Sequence, residues 1–144
     1  MQPYPHVYQV SAAGSPDGTV AVVSPGLPAI PTAPPPEFDG PSGVWSPEAL
    51  LCAAVADCFV LTFRAISRPA RLEWSKLECR VEGTLERAGG VTQFTRYTTH
   101  ASLTVPAGTD VPKARALLER AEQLCLVSNS LRGTRSLEAQ VNTG

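Results

Sequence analysis

The stretch Trp45-Ser46-Pro47-Glu48-Ala49-Leu50-Leu51-Cys52-Ala53-Ala54-Val55-Ala56-Asp57-Cys58-Phe59-Val60-Leu61-Thr62-Phe63 decides how this chain folds. It opens with three helix-start signals: Ser46 as N-cap, Pro47 at the first helical position and Glu48 in the first turn. From Ala49 the residues are apolar nearly all round, which calls for burial on most sides of the helix. A stop is expected at Ser67-Arg68-Pro69, because proline cannot continue the hydrogen-bond ladder. The apolar run 49–63 is short for a bilayer span and contains Asp57, so it reads as a core helix, with no membrane partner.

On the N-terminal side, residues 6–13 and 19–24 read as short strands around the turn Gly14-Ser15-Pro16-Asp17-Gly18, and 27–30 as a weaker third. Pro31-Thr32-Ala33-Pro34-Pro35-Pro36 then reads as a stiff, extended connector crossing the surface of a helix. On the C-terminal side, Leu77, Cys79, Val81, Gly83 and Leu85 alternate with polar residues, the period of a strand with one wet face. Ala88-Gly89-Gly90 turns the chain into a return strand with Tyr97, Thr99, Ala101, Leu103 and Val105 on one side. Asp110 and Pro112 open a second helix, whose inner stripe is expected to be Ala114, Leu117, Leu118, Ala121, Leu124 and Cys125. A last strand is expected at 136–141.

The reading is therefore α+β, β-β-(β)-α-β-β-α-β, in a single domain over residues 1–144. One sheet is too little to cover two apolar helices. A homodimer, with sheets from two chains wrapped around four helices, solves that burial problem.

Hydrophobic residues make up 43% of the chain and charged ones only 17%, as expected of a folded protein that buries a face against a partner. Charge is distributed unevenly. Residues 1–63 carry five acids and no Lys or Arg, while 64–144 carry all 12 bases and the other 8 acids. No basic footprint for nucleic acid results. The N-terminus lacks a basic segment followed by an apolar one, so a cytoplasmic protein is expected.

Four cysteines remain to be explained. A thiol pair in a chain without an export signal points to redox chemistry before it points to a structural staple. No Cys-x-x-Cys spacing occurs and His6 and His100 fall on separate strands, so no metal site is expected. No phosphate-binding or dinucleotide glycine pattern occurs either, and no cofactor is expected. Cys79, between Leu77 and Val81 on an inward strand face, reads as a packed thiol. Cys52 and Cys58 are six residues apart, about 600° around a helix, and point to different sides. Each reads by itself as a core cysteine, the common fate of free thiols. Cys125, beside Ser128-Asn129-Ser130, is expected to have more solvent access than the rest.

Taken together, Phe38-Asp39-Gly40-Pro41, Trp45-Ser46-Pro47-Glu48-Ala49-Leu50-Leu51, Ala56-Asp57-Cys58-Phe59 and Cys125-Leu126-Val127-Ser128-Asn129-Ser130 resemble the OsmC/Ohr family of osmotically induced and organic-hydroperoxide-resistance proteins. The resemblance spans nearly the whole chain. It implies an intertwined homodimer whose two central helices are wrapped by antiparallel sheets, with active sites at the interface. It also implies a Cys-based hydroperoxide reductase of the oxidative stress response. Carried over residue by residue, Cys58 takes the peroxidatic role, Cys125 the resolving role, and Glu48 helps to organise the site. The substrate implied is an organic hydroperoxide, and the reductant an external dithiol such as a lipoylated protein.

Two features qualify this expectation. Glu48 lies ten residues before Cys58, about 15 Å along an unbroken helix, so the two meet only if the helix breaks or Glu48 reaches across from another subunit. Family peroxidases also place an N-terminal arginine beside the reactive cysteine, and here residues 1–63 have none; Arg96 and Arg132 are the replacements considered. The absence favours an alternative, a non-enzymatic protein on the same scaffold. Its interface pocket, with Phe38, Trp45, Phe59 and Phe63 as candidate walls, would bind a small hydrophobic ligand.

Overall fold

Ser46 opens the central helix as its sequence requires: its Oγ accepts the Ala49 N–H at 3.1 Å and its carbonyl the Leu50 N–H at 2.9 Å. The computed structural model describes residues 1–144, and this helix, α1, runs Pro47–Ser67 without a break. Two compact units make up the chain, Met1–Leu51 and Cys52–Gly144, and the division between them falls inside α1.

The first unit holds an antiparallel meander of β1 (Ser11–Ala13), β2 (Val20–Val23) and β3 (Ile30–Thr32), in that spatial order. β1 is shorter than expected: residues 6–10 are exposed and outside the sheet. β3 starts at Ile30, where the sequence reading ended its third strand, and it accommodates Pro31 because it is an edge strand whose outer side needs no donor. The proline-rich connector is not extended throughout. After Pro35 it closes a 3-10 turn, Pro36–Phe38, and the Gly40 N–H returns to the Pro35 carbonyl at 3.0 Å. Only glycine fits there, since a Cβ on Gly40 would lie 1.7 Å from the Pro34 carbonyl oxygen.

The second unit holds β4 (Lys76–Ala88), β5 (Val91–Val105), α2 (Val111–Leu124), the short α3 (Leu126–Asn129) and β6 (Thr134–Thr143). β4 and β5 form the expected hairpin, with a bulge between Thr84 and Leu85. β6 pairs with the other edge of β5 in parallel, from Arg96↔Thr134 to Val105↔Thr143. Sheets that are antiparallel throughout were expected, and the difference has a simple cause. α2 and α3 form a crossover that returns the chain to the start of β5 before β6 begins.

Asp110 caps α2, its carboxylate accepting the Lys113 N–H at 3.0 Å. The core lies between the sheet and the helices: Phe59 and Phe63 from α1, Ala101, Leu103 and Val105 from β5, and Ala114, Leu118 and Ala121 from α2. α1 contributes a single buried stripe, Val55, Phe59, Phe63 and Ser67, although its sequence is apolar on nearly every side. Leu61 is 48% exposed, so this protomer leaves much of the expected burial of α1 unmet. The helix is also longer than the 49–63 run, at 21 residues, and it has the length and composition of a membrane span. Two residues of its buried stripe, Phe59 and Phe63, belong to the core shared with β5 and α2.

Candidate active site around Cys58 and Cys125

Cys125 was expected on the inner stripe of α2 and instead occupies a break. Its ψ of 105° ends α2 and starts α3, making it the C-cap of one helix and the N-cap of the next. Its N–H reaches back to the Glu122 carbonyl at 3.4 Å, and its own carbonyl accepts the Asn129 N–H at 2.9 Å. The kink turns the side chain into the protein. Cys125 is 1% exposed, the reverse of the expected solvent access, whereas Leu124 turns outward.

The sulfur meets two partners. Ser128 Oγ donates to Cys125 Sγ at 3.3 Å, and Sγ lies 4.0 Å from the Val55 carbonyl oxygen of α1. Val55 is one helical turn before Cys58, which places Cys125 against the segment of α1 that carries the other thiol. Cys58 is half-buried, with its Sγ 3.9 Å from Thr62 Oγ1. Burial pushes the Cys125 thiol above its ordinary pKa, Ser128 counteracts this through its hydroxyl and backbone, and the neighbouring Cys58 thiol pushes it up again. No Arg or Lys is among the groups acting on it. The pair is thus two adjacent thiols, with a hydroxyl donor on one of them.

The other cysteines behave differently. Burial pushes Cys79 to about 11, with a smaller push from Cys125, so it stays a neutral, packed thiol near neutral pH. Cys52 rests on β4, where a Cβ on Gly83 would lie 2.7 Å from its sulfur. Burial raises its pKa, and a backbone hydrogen bond from Gly83 offsets part of that rise. Cys52 and Cys58 do face different sides of α1, one toward Gly83 and the other beside Cys125.

Sequence reasoning missed the groups that hold the Cys125 break in place. Arg135, at the start of β6, joins Glu122 of α2 (Nε to Oε1, 3.2 Å) and Asn129 of α3 (donating to Oδ1, 2.8 Å). Ser128 could have been found, since it stands three residues after Cys125, the spacing between an N-cap and its third helical residue. Nothing local marks Arg135, because its partners come from other elements.

The remaining predicted residues are dispersed. Glu48 is in the first turn of α1, and its Oε2 is buried without a hydrogen-bond partner. The unbroken helix rules out a meeting with Cys58 through a helix break. Arg96 and Arg132 are both exposed. Phe38 and Trp45 are each 52% exposed, and Trp45 lines a depression of 270 Å³ with Gly43, Val44 and Ala49. Phe59 and Phe63 are core residues with no open face toward a ligand. His6 hydrogen-bonds the Gln2 carbonyl, and His100 sits between Glu138 (2.9 Å) and Glu82 (3.3 Å) on the wet face of the second sheet. No three His, Cys, Asp or Glu side chains are grouped to hold a metal ion.

Fold and thiol pair together define an α+β protein that carries two adjacent cysteines between α1 and the α2–α3 break. The chain belongs to the OsmC-like protein family, whose sequence model matches residues 40–139. It is 30% identical over 115 residues to the Bacillus subtilis protein YmaD, covering 76% of this chain and 77% of that one. Among solved structures it is similar to an OsmC-like protein from Vibrio cholerae, with a TM-score of 0.85 at 16% identity over 94% of this chain and 99% of that one. It is also similar to an organic hydroperoxide resistance protein from Legionella pneumophila, with a TM-score of 0.76 at 25% identity over 97% and 99%.

Proposed function

We propose that this protein is a thiol-dependent peroxidase for organic hydroperoxides, with Cys58 as the peroxidatic and Cys125 as the resolving cysteine. The observation that carries the reading is the position of the Cys125 sulfur, against the Val55 carbonyl and beside the Cys58 thiol. The names of similar proteins, organic hydroperoxide resistance among them, support it from outside the chain.

The Cys58 thiolate attacks the distal peroxide oxygen; the O–O bond breaks, an alkoxide leaves and takes a proton as the alcohol, and Cys58 becomes a sulfenic acid. The Cys125 thiolate then attacks that sulfur, releasing the hydroxyl as water and forming the disulfide. Cys58 starts the sequence because it is the half-open thiol, while Cys125 is enclosed. An external dithiol, of which a lipoyl group is the chemical type, returns both thiols to the reduced state. The exposed face of α1 and the orphaned Glu48 carboxylate both support a homodimer in which Glu48 serves the partner's site. A cytoplasmic setting, where such reductants operate, completes the reading.

The second reading, a binding protein for a small hydrophobic ligand, is favoured by one observation: residues 1–63 hold no Lys or Arg to activate Cys58. Peptide-mapped mass spectrometry separates the two. Reduced protein is quenched seconds after one equivalent of cumene hydroperoxide or, separately, of hydrogen peroxide. A rapid Cys58–Cys125 disulfide, faster with the organic peroxide, is expected; four unmodified thiols would overturn the peroxidase reading.

A further inference from the structure

We propose that Ser128 is a positioning residue for the reductive half-reaction: enclosure of Cys125 directs the external dithiol to Cys58, and the Ser128 hydroxyl eases the departure of the Cys125 thiolate. The inference rests on the peroxidase reading and adds to it which sulfur is attacked and why.

Access selects the sulfur that is attacked, and the Ser128 hydrogen bond eases the departure that follows. An incoming thiolate approaches the sulfur it attacks along the S–S axis, from the side opposite the departing sulfur. Cys125 Sγ is enclosed by the Val55 carbonyl at 4.0 Å and Ser128 Oγ at 3.3 Å, and the residue is 1% exposed. Cys58 is only half-buried, with the Thr62 hydroxyl 3.9 Å from its sulfur.

The departure turns on the fate of the charge. When the disulfide opens, one sulfur must leave carrying an electron pair, and the better-stabilised thiolate leaves faster. Enclosure makes Cys125 a poor leaving group, because burial disfavours its anion, and Ser128 offsets part of that cost. Ser128 Oγ is a buried donor aimed at this sulfur, and its hydrogen bond strengthens as the sulfur gains charge. In the thiol form the Cys125 S–H can turn to the Val55 carbonyl, so Ser128 matters most at the moment of departure.

The step balances as follows. The first thiolate of the dithiol forms an S–S bond to Cys58, the Cys58–Cys125 bond breaks, and its electron pair goes to Cys125, which later takes a proton. The second thiol of the reductant loses its proton and attacks the reductant's own mixed-disulfide sulfur, expelling the Cys58 thiolate. The dithiol is oxidised by two electrons and the protein disulfide is reduced by two.

The test begins with the disulfide formed by diamide, so that no peroxide chemistry is required. Wild-type protein is mixed with excess 2-mercaptoethanol, quenched with acidic N-ethylmaleimide and mapped for the mixed disulfide. In parallel, reduction by dithiothreitol is timed across pH for wild type, Ser128→Ala and Ser128→Thr. We expect the mixed disulfide on Cys58, reduction slowed about three- to tenfold in Ser128→Ala, and recovery in Ser128→Thr, which keeps the hydroxyl. The deficit should shrink at low pH, where the departing sulfur is protonated as it leaves. A mixed disulfide on Cys125, or equal rates in Ser128→Ala and wild type, would overturn the proposal while leaving the peroxidase reading intact. Failure of diamide to join Cys58 to Cys125 would overturn both. Mapping on the wild type needs no variant to fold.

Discussion

The two main helices carry the two thiols and solve their burial problem in opposite ways. α2 is amphipathic: Ala114, Leu118 and Ala121 enter the core, and charged residues such as Lys113, Glu119 and Arg120 face water. Its own protomer satisfies it. α1 is apolar over most of its surface, yet only Val55, Phe59, Phe63 and Ser67 are buried. What the comparison teaches is that the sequence of α1 demands more burial than this chain supplies, which is the observation behind the proposed homodimer. The thiols follow the same division: Cys58 sits half-open on the unsatisfied helix, and Cys125 is enclosed at the end of the satisfied one.

The largest expected effect comes from separating the thiols. Cys58→Ser should abolish peroxide consumption in a coupled assay. Cys125→Ser should retain one turnover and then accumulate sulfinic acid, because the sulfenic acid meets no resolving thiol. The contrast between the half-open and the enclosed sulfur collapses if Cys58→Ser consumes peroxide at the wild-type rate.

Next in size is the contrast between the helices themselves. Leu118→Ala removes a fully buried side chain of α2 and should destabilise the protomer by about 2–5 kcal/mol in denaturant unfolding. Leu61→Glu places a charge on the exposed side of α1 and should leave protomer secondary structure intact while shifting a dimer toward monomer by light scattering. An unchanged assembly would show that this face of α1 has no partner.

These contrasts also explain how much could be read from the sequence. The start of α1 was legible because Ser46, Pro47 and Glu48 act locally, and so was the start of α2 at Asp110. The β4–β5 hairpin followed from period-two patterning around Ala88-Gly89-Gly90. The parallel pairing of β6 was not legible, since strand direction depends on where the α2–α3 crossover delivers the chain. Nor was the break at Cys125, because residues 114–125 keep helical spacing. The kink is stabilised by Arg135, whose partners Glu122 and Asn129 are distant in sequence or on other elements. Ser128 is different, since its partner Cys125 is only three residues away and the spacing itself marks it.

The smallest expected effect concerns the cysteine that lies near the pair and takes no part in it. Cys79 is half-buried on β4, and its pKa is raised to about 11 in the folded chain, above its ordinary value. A group whose folded pKa is raised contributes stability that is fully present below its unfolded pKa. That contribution is lost as pH rises through the folded value. Between about pH 9 and 11 the folded state therefore retains a proton that the unfolded state gives up, and stability should fall across this window. Urea midpoints measured from pH 8 to 11 should decline less steeply in Cys79→Ala than in wild type, although the variant starts lower because it loses a packed sulfur. Parallel declines would mean that Cys79 is not the group that titrates there. Slow alkylation of Cys79 at pH 8 should accompany this result, since its raised pKa leaves little thiolate there.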